Sequence, residues 1–449
     1  MKHLGTLGVT VAFLLTAVCA RALAAGAEDF WPTWRGPTMT GTAAQGNPPV
    51  TWSETENIKW KVPIPGQGHS SPVIWGDKLF LQTAIDTGQA KSADAQSAQP
   101  PAASGGRSGL STPTPKTVYK FDLLCLDRST GKVLWEKTAI EAVPHEGHQP
   151  TGTFASYSPV TDGKYVWASF GSRGLYCYDM DGGLPWSKPL PTMKTIMSFG
   201  EGSSPALAGD AIIVVCDQQA GSAIFAFDKT TGEQLWRKDR DEVTSWATPA
   251  VAEVDGKTQV IVSATKLIRS YDAKTGELIW QCSGQVRNVI PSPVLGFGMV
   301  FCTSGYQGAS LQAIKLAGRT GDLSGTGAIA WQVNKGTPYV SSPLLYGNRI
   351  YVYSVLKPVL SCYEAQTSKP LFTEQTLKGI DLVYASPVGV ADRVYCPGRN
   401  GVTVVIKNAD TFEVLATNKL DDGLDASPAV IGDELYMRGH EFLYCIAKK

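Results

Sequence analysis

The stretch from Ser203 to Lys238, SSPALAGDAIIVVCDQQAGSAIFAFDKTTGEQLWRK, holds one complete structural unit of this chain. Short runs cover Ala206 to Leu207, Ile212 to Cys216, Ala223 to Phe227 and Gln234 to Arg237, and Gly209-Asp210 and Thr231-Gly232 separate two of the junctions. Such pairs make tight turns, because glycine accepts positive φ and Asp or Thr bonds the local backbone. The pattern predicts four short antiparallel strands in a sheet of about 40 residues. Pro205 opens the first strand, where a missing N–H is tolerated.

The same unit recurs along the chain. Its opening pair stands at Ser71-Pro72, Ser158-Pro159, Ser204-Pro205, Thr248-Pro249, Ser292-Pro293, Ser342-Pro343, Ser386-Pro387 and Ser427-Pro428. From the second pair onward the prolines are 46, 44, 44, 50, 44 and 41 residues apart, a period typical of radial or linear repeat architectures. The turn Asp-x-x-Thr-Gly before a tryptophan recurs at Asp127 to Gly131 with Trp135, Asp228 to Gly232 with Trp236, and Asp272 to Gly276 with Trp280. Trp186 and Trp331 take that tryptophan's place in two further units, Leu371-Phe372 and Leu415 in two more. A large apolar residue repeated on the outer strand is expected to pack between adjacent sheets. The repeated serines are expected to bond local backbone.

The last unit is short by one strand: after Pro428 only AVIGDELYMRGHEFLYCIAKK remains. The missing strand is at the other end of the chain, where NIKWKVPI, Asn57 to Ile64, carries Trp60. Pairing the two ends closes a ring and removes exposed sheet edges. The expected fold is all-β, an eight-bladed β-propeller of four-stranded antiparallel blades, closed by the N-terminal strand.

Outside the repeats, residues 1–24 resemble a signal peptide: Lys2 and His3, an apolar stretch from Leu4 to Ala20, then Ala22-Leu23-Ala24 as a cleavage site. The stretch is short for a membrane span, and no later segment could form a spanning helix. Val18 before Cys19 speaks against lipid anchoring. Residues 25–56 form a lead-in with Trp31, Trp34 and Arg35, expected against the propeller flank. The single propeller domain takes 57–449, with a disordered insertion expected at 85–117, rich in Ala, Ser, Gly and Pro. Lys plus Arg equals Asp plus Glu at 40 each, and no basic stripe exists, so nucleic acid is not an expected partner. Seven of the eight cysteines past the signal fall in two sets of equivalent blade positions, which a ring holds apart, so the cysteines are expected to be small buried strand residues.

These repeat residues resemble the PQQ-like propeller repeat, over nearly all of residues 50–449, and the WPxWRGP lead-in resembles that of exported bacterial PQQ-like proteins. The resemblance implies one of two functions. Quinoprotein alcohol and sugar dehydrogenases hold pyrroloquinoline quinone and calcium on the axis. The propeller lipoprotein of the outer-membrane β-barrel assembly machine has no cofactor and binds partner proteins. A quinoprotein alcohol dehydrogenase is expected to carry a vicinal disulfide, and this chain has no Cys-Cys pair. Glu201, Asn288, Asp381 and Asp425 are hard oxygen donors just before Ser-Pro pairs, the kind calcium takes.

The connections entering the innermost strands should ring one mouth of the axial channel. Those positions hold His69, Tyr157, Glu201, Trp246, Arg287, Asn288, Tyr339, Tyr384 and Asp425, an aromatic and polar set suited to a peptide, sugar or small ring compound, or to plugging the channel. His145, Glu146 and His148 are the densest metal-capable cluster, but the spacing is not that of a zinc-protease helix and reads as a surface loop. His440 has no evident partner in sequence. No G-x-S-x-G elbow and no P-loop occur. The expectation is an exported, periplasmic or extracellular, monomeric scaffold, non-enzymatic and without cofactor or metal, that binds a protein or extended ligand of the cell envelope. The alternatives are a quinone- and calcium-dependent oxidoreductase and a carbohydrate-binding propeller.

Overall fold

The computed structural model describes residues 29–90 and 109–448. Eight antiparallel sheets form the ring, one per Ser/Thr-Pro unit. Blade three shows how the sequence makes a blade: Ala206–Ala208, Ala211–Cys216, Ala223–Asp228 and Gln234–Asp239 pair in that order. The two middle strands are almost wholly buried, while the outer one alternates, because only its inward face meets a neighbouring sheet. Blade eight is completed from the other end of the chain: Ile58–Pro63 pairs with Phe442–Ile446, Trp60 opposite Cys445 and Pro63 opposite Phe442. The ring therefore closes as expected.

Adjacent blades are joined by a tryptophan on one side and a glycine turn on the other. Nε1 of Trp60, Trp135, Trp186, Trp236 and Trp331 donates to the carbonyl of Arg128, Met180, Lys229, Ala273 and Ala365 respectively, each in the following blade's outer turn. The glycine of that turn is what lets the ring approach: a Cβ on Gly232 would lie 2.6 Å from the Trp186 ring, and its φ of +69° already disfavours other residues. Blade four departs from this pattern. Its Trp280 bonds Gln259 instead, and Gly321–Asp322, from the long outer turn of blade five, pairs alongside as a fifth strand. Blade six uses Phe372, packed on Phe412 of blade seven, but Leu415 is exposed and Ala416 turns inward in its place.

The repeated serines do not bond locally. Each opening Ser or Thr accepts, through its hydroxyl, the N–H of the equivalent residue one blade earlier. Ser71 N–H donates to Ser158 at 2.9 Å, Ser158 to Ser204 at 2.9 Å, Ser204 to Thr248 at 3.2 Å, and Thr248 to Ser292 at 2.9 Å. Ser292 then donates to Ser342, Ser342 to Ser386, Ser386 to Ser427, and Ser427 back to Ser71 at 3.0 Å. The result is a closed belt around the axis.

The lead-in is also placed differently from the expectation. Rather than lying on the flank, it crosses the axis along the open edges of the inner strands. Trp31 exchanges both backbone hydrogen bonds with Ile74 of blade one, and Pro32 accepts from Thr161 of blade two. Thr40 then accepts from Leu345 of blade six, and Gly41 from Gly389 of blade seven. Arg35, fully buried, donates to the carbonyls of Pro343 and Pro387 at 2.7 and 2.8 Å. The unpaired groups of inner edges need partners once water is excluded, and the lead-in supplies them.

The expected insertion is narrower than 85–117 at both ends. One strand runs Lys78–Ala90 and its partner begins at Thr117. Residues 91–108 and the expected signal segment lie outside the described residues. The eight cysteines from Cys125 to Cys445 are all buried and free, and burial pushes several thiols, such as Cys125, up to about 12.

Candidate functional site: a blind aromatic cup on the axis

The belt and the lead-in turn one mouth of the channel into a cup of about 410 Å³. Seven of the eight belt residues line it, Ser342 being the exception, and Trp34 of the lead-in faces it as well. The wall is aromatic: Phe199, Trp246, Tyr306, Tyr339 and Tyr384 come from separate connections. Tyr306 and Tyr339 stack at 4.9 Å with planes 26° apart. Trp246 is fixed by Nε1 donating to the Gly200 carbonyl at 2.8 Å, and Tyr384 receives the Thr151 hydroxyl and carries the Arg399 guanidinium over its face at 5.0 Å. Rigid rings whose polar edges are already held present flat faces to a ligand at little entropic cost.

Of the nine mouth residues read from sequence, His69, Glu201, Trp246, Tyr339, Tyr384 and Asp425 do line the cup. The other three do not. Tyr157 is buried beneath the wall, its hydroxyl donating to Glu201 at 2.8 Å. Arg287 is exposed and reaches Gln307, and Asn288 is buried with φ of +55°. Tyr306, Phe199 and Trp34 were missed because they do not sit just before a Ser-Pro pair. Leu110 also reaches the cup, carried by a segment whose Thr112 bonds the His148 backbone.

Two acidic groups in the cup behave differently. Glu201 is satisfied by the protein: it accepts from Tyr157, from the Ser172 N–H and hydroxyl, and from Arg173, with His145 Nε2 at 3.7 Å. Asp425 is not. Its Oδ2 faces His440 Nε2 at 2.9 Å, His69 Nε2 at 3.5 Å and Arg399 Nε at 3.5 Å, while Oδ1 is buried with no hydrogen-bond partner among the described residues. Burial, with help from His440, Arg438 and Arg399, pulls the His69 imidazole down to about 4, whereas the hydrogen bond to Asp425 raises His440.

The loop of His145, Glu146 and His148 is not a surface loop. Glu146 is 3% exposed and bonds the Thr195 hydroxyl and N–H, and His145 Nε2 contacts the Met193 carbonyl at 2.7 Å. His148 turns away onto Phe154 and the Gln149 carbonyl. The oxygen donors foreseen for calcium are not gathered either. Glu201 is engaged, Asn288 and Asp381 do not line the cup, and Asp425 stands alone among nitrogen groups. These four residues do not converge on one calcium site.

Residues 119–321 match the family described as outer membrane protein assembly factor BamB. Among solved structures, BamB of Moraxella catarrhalis is similar at 16% identity and a TM-score of 0.53, covering 81% of this chain and 98% of that one. The Dos1 propeller is similar at 12% identity and 0.53, covering 74% of this chain and 90% of that one. The computationally designed Ika8 protein is similar at 12% identity and 0.51, covering 74% and 92%. No curated protein sequence matches the chain. With eight four-stranded blades closed by its own N-terminal strand, this chain is an eight-bladed β-propeller, similar over residues 119–321 to the PQQ-like family.

Proposed function

We propose that this chain is an exported, non-enzymatic binding propeller whose axial cup takes an aromatic-bearing segment of a partner protein in the cell envelope. The observation that carries the reading is the cup itself: blind, about 410 Å³, walled by rings from five connections and floored by hydroxyls. A volume near the lower end of ligand pockets, roughly 300–1,000 Å³, suits one or two side chains rather than a threaded chain. Stacking on Trp246 and on the Tyr306–Tyr339 pair supplies affinity, and Asp425 and the hydroxyls supply direction. The likeness to BamB, described as an outer membrane protein assembly factor, supports a protein partner, and the signal-like residues 1–24 support export.

The test is selection from a displayed peptide library on the immobilised protein, with counter-selection on the Trp246→Ala and Tyr339→Ala variants. Enriched peptides should carry an aromatic residue and bind each variant at least 10-fold more weakly, the loss expected for one stacked ring in a desolvated pocket. No enrichment, or peptides that bind both variants as tightly as the parent, overturns the reading.

A further inference from the structure

At the rim of the cup, His69, Asp425 and His440 offer one ligand atom each, all within 4.8 Å of one another. They come from separate places in sequence. His69 precedes the first Ser-Pro pair, Asp425 precedes the last, and His440 lies on the final hairpin. The belt joins Ser427 to Ser71 and so holds the first two side by side. Asp422 fixes the third by accepting the N–H of His440, Glu441 and Phe442.

From this geometry we infer that His69, Asp425 and His440 form a divalent-metal site of two imidazoles and one carboxylate, with an open position facing the cup. Four-coordinate zinc bonds nitrogen and oxygen ligands at about 2.0–2.2 Å, which sets neighbouring ligand atoms roughly 3.3 Å apart. The observed separations from Asp425 Oδ2, 2.9 Å to His440 and 3.5 Å to His69, bracket that spacing. The carboxylate gives the second observation: the Asp425 side chain is 1% exposed, and its Oδ1 has no partner. A dry, half-satisfied carboxylate aimed into a cavity is costly unless something binds it. Two imidazoles and one carboxylate, without thiolate, favour zinc and its late first-row neighbours over calcium or magnesium. Arg399 on the same carboxylate and the buried Arg438 nearby oppose a dication, so binding is reversible rather than structural. The site shares His69 and Asp425 with the cup wall, but the metal titration does not depend on which ligand the cup takes.

The experiment is calorimetric titration of the chelator-stripped full-length protein with zinc chloride, paired with cobalt chloride titration read by visible absorption. One zinc per chain and the intense visible bands of a four-coordinate cobalt site are expected. His440→Gln should weaken zinc at least 10-fold and Asp425→Asn more, while His148→Gln, outside the cluster, should bind as the parent does. His440 is partly exposed on a hairpin, so its variant tests the site without disturbing the core, and a melting curve checks that it folds. No zinc uptake by the parent, or equal uptake by folded His440→Gln, overturns the inference.

Discussion

Glu146 is a carboxyl group whose environment works against its charge. Thr195 donates two hydrogen bonds to it, which favour the anion, but burial and the neighbouring Glu201 outweigh them and raise its pKa to about 7 from an ordinary 4.5. Between those two values the folded state binds the proton that the unfolded chain has released. Stability contributed by this group is therefore complete below about 4.5, falls as pH rises, and levels off above about 7. Glu146→Gln puts an amide of the same shape in place of the carboxyl and cannot ionise. Its stability relative to the parent should grow by on the order of 1–3 kcal/mol between pH 4.5 and 8, read from urea midpoints. A difference that stays constant over that range would show that Glu146 ionises normally. Single residues of this kind were the least legible in sequence. The carboxylate in HEGH looks like any loop carboxylate until Thr195, from the next connection, is known to cover it. His440 and His69 are likewise far apart in the chain, and only ring closure brings them to Asp425.

The blade was legible for the opposite reason. Strand and turn chemistry repeats eight times, so a weak local signal is read eight times over, and the tryptophan of six outer strands reports their register. What the repeat cannot carry is the contact between blades. Periodicity identifies Ser-Pro as the start of an inner strand, yet the hydroxyl acts on the preceding blade. This gives the belt a measurable role. Ser158→Ala leaves the Ser71 N–H buried beside a methyl group, and removal of one acceptor from a buried donor costs about 1–3 kcal/mol. Ser158→Thr restores the oxygen, and since Thr248 already fills an equivalent place, it should unfold within about 0.5 kcal/mol of the parent. Urea denaturation of the pair distinguishes a hydrogen-bonding belt from simple packing, under which alanine would be tolerated and threonine, being larger, would not.

At the scale of the molecule, the N-terminal segment does two separable things. Residues 31–43 bond the inner edges of blades one, two, six and seven across the axis, and Ile58–Pro63 closes blade eight. Between them, Pro48, Val50 and Trp52 run outward over blade seven, bonding Arg393 and Asn418. The closing strand is legible in sequence because blade eight is one strand short. The plug is not, because an irregular segment that satisfies edges carries no period. Two truncations separate the roles. A chain beginning at Thr51 keeps the closing strand but loses Trp34 and Arg35, so the cup becomes a channel and four inner edges lose their partners. It should remain a folded monomer, unfold at lower urea than the parent, and bind cup-selected peptides more weakly. A chain beginning at Ile64 also exposes the Phe442–Ile446 strand as an open edge. It should associate on size-exclusion chromatography and lose its cooperative transition, because each blade of a closed ring is held from both sides. Should both truncated chains unfold alike, closure and plug are one cooperative unit; should the Ile64 chain stay monomeric and cooperative, the N-terminal strand is not what closes the ring in solution.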